Sequence, residues 1–380
     1  MDSDQALTPA KATLGFDAAV GLFLTYMQAC NYSPNTVKAY RHDLSLLSSF
    51  LISNDLDWRR LTPERAVDLL IYLRGIPSRR RGEHLHPMLA VTDGRVAKPG
   101  LSVATINRML ATVSSFYDWG RMVDQIIGAN PISRVHDRAA ARVPEGHRPF
   151  LYGVAGRQTM RRALRLRSVR RLPRPMSIDQ IDALIAQLRC RRDLALVHLM
   201  LDGGLRPGEV LGLHLTDVAY GRRRVVVRVR DDDPRGVRSK SRAERIVDLH
   251  EAVTLEAVSA YVMQERPAEA TSPILFLVGG PGRRRCEPMS YSALVRLFAR
   301  ACARAGIRAP WVTPHALRHT HATRMWEAGM RELTLQRRLG HASPESTRLY
   351  TQMSDPAVVA EYRRALGLDG AGADCMSSSA

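Results

Sequence analysis

At four places along the chain a hydroxyl residue followed at once by proline stands ahead of a helical pattern: Ser33-Pro34, Thr62-Pro63, Thr313-Pro314 and Ser343-Pro344. A Ser or Thr oxygen accepts a hydrogen bond from an N–H group left free at a helix start, and proline's fixed φ suits the first helical position. Each pair therefore reads as the opening of a helix. After the first, Val37, Tyr40, Leu44, Leu47 and Leu51 recur at i+3 and i+4 spacing, which predicts one buried stripe. Further helices are expected over 16–32, from Pro63 to about Arg74, and from Ser102 to Trp119 with Gly120 as the stop. Downstream, Ser177-Ile178-Asp179-Gln180 has the form of a capping box and starts a helix through Leu188. More helical stretches follow at 193–201, 251–265, 290–305 and 356–366. Only two segments look extended: 223–230, where arginine flanks and alternates with valine, and 244–249. The fold class expected is mainly α with a small antiparallel β-sheet.

At 380 residues the chain has room for roughly two domains, each with a core. The helical pattern of 16–135 makes one, a small bundle behind a flexible arm (1–15) and interrupted by a long Gly/Pro/Arg-rich loop at 75–100. The second spans 173–367 and precedes a Gly/Ser-rich tail, 368–380, expected to be disordered. Between them lies a basic linker, 136–172, with a short helix around 158–167.

Charge narrows the partner. Fifty-six Lys and Arg against 37 Asp and Glu leave a surplus of +19. Twelve arginines and two acids fall between Arg134 and Arg174, so about half the surplus sits in 41 residues. That density points to a polyanion, and the mixture of Pro, Gly and Arg suits a groove-tracking linker better than a membrane-surface helix. Arg161, Arg162, Arg165, Arg167, Arg170 and Arg171 are the candidate nucleic-acid contacts there, with Lys38 and Arg41 on the second helix.

Other classes lose support. No apolar run approaches the ~18–20 residues of a membrane span, and Met1-Asp2-Ser3-Asp4 lacks a signal-peptide pattern. The five cysteines are widely scattered with no Cys-x-x-Cys pair, which fits a reducing compartment. There is no phosphate-cradling Gly-x-x-x-x-Gly-Lys loop. His315, His319 and His321 hint at a metal cluster, yet no third acidic or cysteine ligand lies near, so a hydrogen-bonded histidine group is expected and no metal.

Four stretches remain: Gly203-Gly204-Leu205-Arg206-Pro207-Gly208-Glu209, Arg238-Ser239-Lys240-Ser241-Arg242, His315-Ala316-Leu317-Arg318-His319 and Leu339-Gly340-His341, with Tyr350 nine positions beyond. Singly, each has a structural reading: a helix-start arginine, a turn lysine, a capping histidine, a core tyrosine. Together and in order they resemble the tyrosine recombinase (phage integrase-like) family, whose site runs Arg…Lys…His-x-x-Arg…His…Tyr. Arg206, Lys240, His315, Arg318, His341 and Tyr350 fill all six positions. The likeness is close in the C-terminal half. It extends more loosely to Tyr32-Ser33-Pro34-Asn35-Thr36 and to 107–119, which look like the family's core-binding domain.

These residue types suit phosphoryl transfer without a metal. Arg206 and Arg318 offer permanently charged planar forks to the non-bridging oxygens of a phosphodiester, an interaction that strengthens as charge develops. His315 and Arg318, three apart, share a helix face in the turn after Thr313-Pro314, where free N–H groups favour an anion. Glu209 is expected to orient Arg206. A phenol is mostly protonated at neutral pH, so Tyr350 needs cations or a base, and His315 or His341 could assist. The leaving oxygen needs a proton that arginine cannot readily give. The resemblance assigns that role to Lys240, the only lysine beyond position 98.

The resemblance implies a two-domain C-shaped clamp on duplex DNA recombination sites. It also implies a 3′-phosphotyrosyl intermediate, no ATP or other cofactor, and a homotetramer on synapsed DNA or a hetero-assembly with sister recombinases. The segment after the tyrosine would dock on a neighbouring subunit. A mobile-element integrase or transposase, acting in a bacterial cytoplasm on the nucleoid, is the first expectation, with chromosome-dimer resolution second. With only 1–15 ahead of the bundle, a phage integrase with a separate arm-binding domain is disfavoured. A type IB topoisomerase-like enzyme and a non-catalytic DNA-binding regulator are the alternatives.

Overall fold

Local capping chemistry decides where most helices begin. Ser33, Thr62, Ser102, Ser177 and Ser290 each accept a hydrogen bond from a backbone N–H in the first turn that follows. The computed structural model describes residues 14–78, 91–92, 95–96, 100–126, 128–136, 160–167, 172, 174–230, 244–341, 347, 350, 358, 362 and 364–366. The chain divides into two units, Met1–Val169 and Arg170–Ala380, each with its own hydrophobic core.

In the first unit, α1 (Phe16–Ala29), α2 (Pro34–Ser53), α3 (Pro63–Gly75) and α4 (Val103–Met122) pack around Leu44, Leu47, Leu69, Ile106 and Phe116, all 2% exposed or less. The expected stripe on α2 faces inward, Tyr40 alone staying half-buried. Each fully buried leucine contributes about 1.5–3 kcal/mol. Asp43 is buried among these helices, where it accepts hydrogen bonds from Arg108 and Thr112 of α4.

Three expectations fail in this unit. Gly120 does not end α4, which runs on to Met122. A Cβ there would lie 2.5 Å from Cδ1 of Ile126, so the glycine admits a packed side chain rather than a turn. The 75–100 loop is not wholly irregular, because β1 (Val91–Thr92) pairs antiparallel with β2 (Arg95–Val96). The helix expected over 158–167 is absent: β4 (Met160–Arg162) pairs antiparallel with β3 (Arg134–His136). Beyond β4, the Asn107 side chain both donates to the Leu166 carbonyl and accepts from its N–H, at 3.0 and 2.9 Å. Leu164 and Leu166 thereby lean on the first core.

In the second unit, α5 (Ile178–Ala186), α6 (Arg191–Leu201), α8 (Ala252–Gln264) and α9 (Tyr291–Arg304) surround a core that includes Leu184, Leu196, Leu199 and Phe276. α7 (Pro207–Leu211), α10 (Pro314–Glu327) and α11 (Glu332–Leu339) are further helices of this unit. β5 (Val218–Ala219), β6 (Arg224–Val227) and β7 (Arg245–Asp248) form a three-stranded antiparallel sheet. Val225 and Val247, opposite each other in register, bury their side chains, while the neighbouring Ile246 turns outward. The mainly α class with a small antiparallel sheet is thus the one observed.

α11 was not anticipated. It ends where Gly340 adopts φ +63°, and the N–H groups of Gly340 and His341 return to the Arg337 and Gln336 carbonyls, a left-handed stop open to glycine. Most of the arm, most of the linker, the segment carrying Lys240, Ser343-Pro344 and the tail lie outside the described residues. Of the last expected helix, Val358, Tyr362, Arg364 and Ala365 are described and helical. No helix among the described residues is long and apolar enough to cross a membrane.

Candidate active site

The centre of the second unit is a carboxylate. Pro207 fixes the first turn of α7, and Glu209 turns back on it, accepting from the Arg206 N–H at 2.8 Å and from its Nη1 at 2.7 Å. Arg245, on β7, grips the same carboxylate bidentately, Nη1 to Oε1 at 2.9 Å and Nη2 to Oε2 at 2.7 Å. Arg318, on α10, brings Nη1 to 3.8 Å from Oε2. Three elements thus bring guanidinium groups to one buried anion.

Backbone carbonyls fix the rest of each fork. Arg318 donates to Gly204 O and Leu339 O, both at 2.6 Å, and Arg206 donates to Gly340 O at 3.1 Å. Arg245 Nε reaches Arg338 O. Gly340 is required twice over, since a Cβ there would come within 2.8 Å of Arg245 Nη1.

The electrostatics follow from burial and company. Burial pushes the Glu209 carboxyl up, but the hydrogen bonds and charge of Arg245, with the charge of Arg206, outweigh it and hold it at about 2. Burial pulls the Arg318 guanidinium down to about 9, Arg206 adds to this and Glu209 opposes it, and the group stays cationic at neutral pH.

Tyr350 is 2% exposed and packs with Ala322, Leu335 and Leu339. Its phenol oxygen lies 2.8 Å from Nδ1 of His319. The His341 ring lies nearly parallel to the phenol ring, 9° between planes and 6.3 Å between centroids, and its Nδ1 pairs with Thr347 Oγ1 at 2.8 Å. Burial raises the phenol pKa, while Arg318 and Arg206 act in the opposite sense. Burial pulls His341 down to about 3, with Arg318 and Arg206 adding to the effect. Burial likewise holds His319 at about 4, and His315 and Arg318 push in the same direction. Both imidazoles are therefore neutral at pH 7.

Of the six residues read from the sequence, Arg206, Arg318, His341 and Tyr350 come together in one electrostatic neighbourhood. His315 is exposed on the first turn of α10, whose N-cap, Thr313, makes no side-chain capping bond. Lys240 lies outside the described residues. Sequence reasoning missed Arg245, which binds Glu209 more fully than Arg206's side chain does, and the role of His319 against the phenol. His319 directly follows Arg318; the sequence reading placed it in a hydrogen-bonded histidine group without naming the phenol as its partner. His321 is spoken for on both nitrogens: Nδ1 bonds the Leu201 carbonyl and Nε2 accepts from Arg338 Nε. Among the described residues no group of His, Cys, Asp and Glu could hold a metal ion.

The first unit holds a cavity of about 590 Å³ lined by Asn107, Arg108, Arg134, Arg161, Arg162 and Arg165, with Leu164 beside them. Asp43 and Asp118 offset two of the five arginines, through Arg108 and Arg134. Lys38 and Arg41 are exposed on α2, and Arg167 is exposed beyond β4. Arg170 and Arg171 lie outside the described residues.

Comparison with known proteins agrees with this layout. Residues 175–356 match the phage integrase family, and residues 20–76 match the phage integrase N-terminal SAM-like domain. Transposase A from transposon Tn554 of Staphylococcus aureus is 28% identical over 345 residues, covering 90% of both chains. The tyrosine recombinase XerC of Chlamydia pneumoniae is 26% identical over 348 residues, covering 89% of this chain and 95% of its own. In fold, the Tn1549 transposon integrase, solved in complex with transposon right end DNA, superposes with a TM-score of 0.59 at 17% identity, covering 92% of this chain and 99% of that one. With the catalytic module and the SAM-like module matched in order along it, the chain belongs to the phage integrase family of tyrosine recombinases, enzymes of site-specific DNA recombination.

Proposed function

We propose that this chain cuts and rejoins DNA through Tyr350, as the recombinase of a mobile element. The observation that carries the reading is the buried phenol of Tyr350 lying in the field of Arg318 and Arg206, two cations fixed around Glu209. A scissile phosphodiester entering that field has its non-bridging oxygens met by both forks. These gain most in the pentavalent transition state, where charge is greatest.

The phenol oxygen bonds to phosphorus, the P–O5′ bond breaks, and a 3′-phosphotyrosyl ester with a free 5′-hydroxyl results. Lys240 donates the proton that the leaving oxygen needs. Attack by a partner strand's 5′-hydroxyl reverses the steps and restores the phenol. The ester retains the bond energy, so the cycle draws on neither ATP nor a metal. Glu209 keeps Arg206 and Arg318 oriented and does not itself move a proton, because a carboxyl held at about 2 is a poor acid and a poor base at neutral pH.

Duplex DNA is the partner, and the arginine-lined cavity of the first unit, with Lys38, Arg41 and the basic 136–172 segment, supplies the phosphate contacts. Four subunits act on two synapsed sites. The mobile-element role rests on the Tn554 transposase likeness over 90% of both chains, and chromosome-dimer resolution is the second reading because of XerC.

The test uses nicked duplexes tiled across the DNA flanking the gene, incubated with the full chain and run on a denaturing gel. The wild type is expected to leave an SDS-stable protein–DNA adduct on a small subset of tiles. Tyr350→Phe should retain DNA but form none. An adduct that persists in Tyr350→Phe, or no adduct on any tile, overturns the reading. The subset of reactive tiles separates the two roles: element ends for one, a chromosomal site for the other.

A further inference from the structure

The phenol's hydrogen bond goes neither to His315 nor to His341. Nδ1 of His341 is held by Thr347, and its ring lies alongside the phenol ring rather than at the oxygen. His315 is exposed a turn away on α10. His319 is set differently. It sits one position beyond Arg318, whose fork is anchored to Gly204 and Leu339, so the helix backbone that fixes the cation also fixes the imidazole. From there Nδ1 reaches the Tyr350 oxygen at 2.8 Å, with the rings tilted 48° and their centroids 5.8 Å apart. A proton acceptor must lie about 2.6–3.2 Å from the proton's heavy atom, and this contact meets that requirement before DNA is bound.

We propose that His319 is the proton acceptor of the cleavage step, an inference that rests on Tyr350 being the nucleophile. As the Tyr350 oxygen bonds to phosphorus, its O–H bond breaks and the proton passes to Nδ1. The P–O5′ electron pair leaves with the 5′-oxygen, which takes a proton from Lys240. On rejoining, the imidazolium returns its proton to the phenol while the incoming 5′-hydroxyl gives one back to the lysine.

Three groups are in position to tune the transfer: His315 and Arg318 on α10, and Tyr350 itself. Burial, with His315 and Arg318 pushing the same way, keeps the imidazole neutral, so its acceptor lone pair is available, and burial keeps the proton on the phenol. A phosphodiester brings negative charge beside the pair and stabilises the imidazolium, tipping the bias only when substrate is present.

The test uses the duplex on which the wild type forms its adduct, with a second version carrying sulfur in place of the bridging 5′-oxygen. Sulfur leaves without protonation, so the rate then reports on the nucleophile alone. His319→Ala and His319→Gln are expected to form adduct about 10²-fold or more slowly with either leaving group. Lys240→Ala should be slow with oxygen and restored by sulfur. Raising the pH from 7 towards 10 should recover His319→Ala by about tenfold per pH unit, as phenolate forms without a base. Wild type should stay level on the sulfur substrate. His319→Gln at wild-type rate would reduce the residue to a hydrogen-bonding prop, and rescue of His319→Ala by sulfur would move it to the leaving-group side. Either result overturns the proposal. Should the variants misfold, the wild type decides alone: cleavage of the sulfur substrate should slow in D2O, and an identical rate in both solvents also overturns it. If the wild type forms no adduct, the reading of Tyr350 has failed instead, which is a separate outcome.

Discussion

Glu209→Gln is the sharpest probe of how the site is held. The substitution keeps the side chain's shape and removes one charge from a group whose side chain is 1% exposed. Arg245 loses the acceptor of its bidentate pair at 2.7 and 2.9 Å, Arg206 loses its 2.7 Å partner, and Arg318 loses the only carboxylate within 4 Å among the described residues. Two independent routes give the size of the loss. The folded carboxyl sits at about 2 against 4.5 for an ordinary glutamate, and at about 1.4 kcal/mol per pH unit the ionised form contributes roughly 3 kcal/mol to stability. Removing one member of a buried ion pair costs about 3–5 kcal/mol, because the remaining charges are left uncompensated.

The sign with pH follows from the direction of the shift. The folded pKa is depressed, so the contribution is complete above the unfolded value near 4.5 and fades as pH falls through the folded value near 2. Two units make a single global unfolding curve unsafe, so the readout is hydrogen exchange at the amides of α7, α10 and α11, which report on the second unit alone. At pH 7 these amides should lose about 3 kcal/mol of protection in Glu209→Gln, while those of α2 and α4 are unchanged. The gap between variant and wild type should narrow towards pH 2. A loss below about 1 kcal/mol at pH 7, or a gap that stays constant down to pH 2, would refute the claim that this carboxylate organises three arginines.

Gly204→Ala places a side chain at φ +61°, with its Cβ 2.4 Å from the His321 ring; it should cost about 2 kcal/mol or more by urea titration of the second unit and slow adduct formation, because the Gly204 carbonyl anchors Arg318. Asn107→Ala removes both hydrogen bonds to Leu166 and should cost about 1–3 kcal/mol, read as faster exchange of the Leu166 amide with no change in the second unit. Arg161→Ala and Arg165→Ala should each weaken DNA binding and lower the slope of log affinity against log salt by about 0.9; an unchanged slope would take these residues off the phosphate path. Because burial and cations hold His319 at about 4 and His341 at about 3, adduct formation should persist down to about pH 5, whereas half-loss near pH 6.5 would mean that an ordinary histidine governs the step.

The helix starts were legible because a cap is a local device: Ser33, Thr62 and Ser102 need only the three residues that follow them. Gly120 misled because a helical glycine has two causes, a chain reversal or a close neighbour, and Ile126 is invisible to a local pattern. Met160–Arg162 misled because its strand partner lies at Arg134–His136, across the basic segment. A short signal did exist there: Leu164 and Leu166 alternate with Arg165 and Arg167, a period of two, and in the structure the two leucines lie on the inner side. The order of Arg206, Arg318, His341 and Tyr350 was readable from motif spacing. Arg245 was not, since nothing along the chain says that an arginine just beyond the Lys240 stretch closes on a glutamate 36 positions earlier.

The site divides its labour by proton affinity. At neutral pH Glu209 and Arg318 both keep their charges, one held at about 2 and the other at about 9, and together with Arg206 and Arg245 they form a field already assembled for the charge that would build on phosphorus in the proposed reaction. Burial, with Arg318 adding to it in both cases, keeps the two imidazoles beside the phenol neutral, so in the proposed mechanism the cation that would stabilise a phosphorane also helps to keep His319 free of a proton until an anion arrives. Burial likewise raises the phenol's pKa while Arg318 and Arg206 act against it, so in the proposed mechanism the proton stays on the oxygen until a substrate's charge favours its transfer to His319.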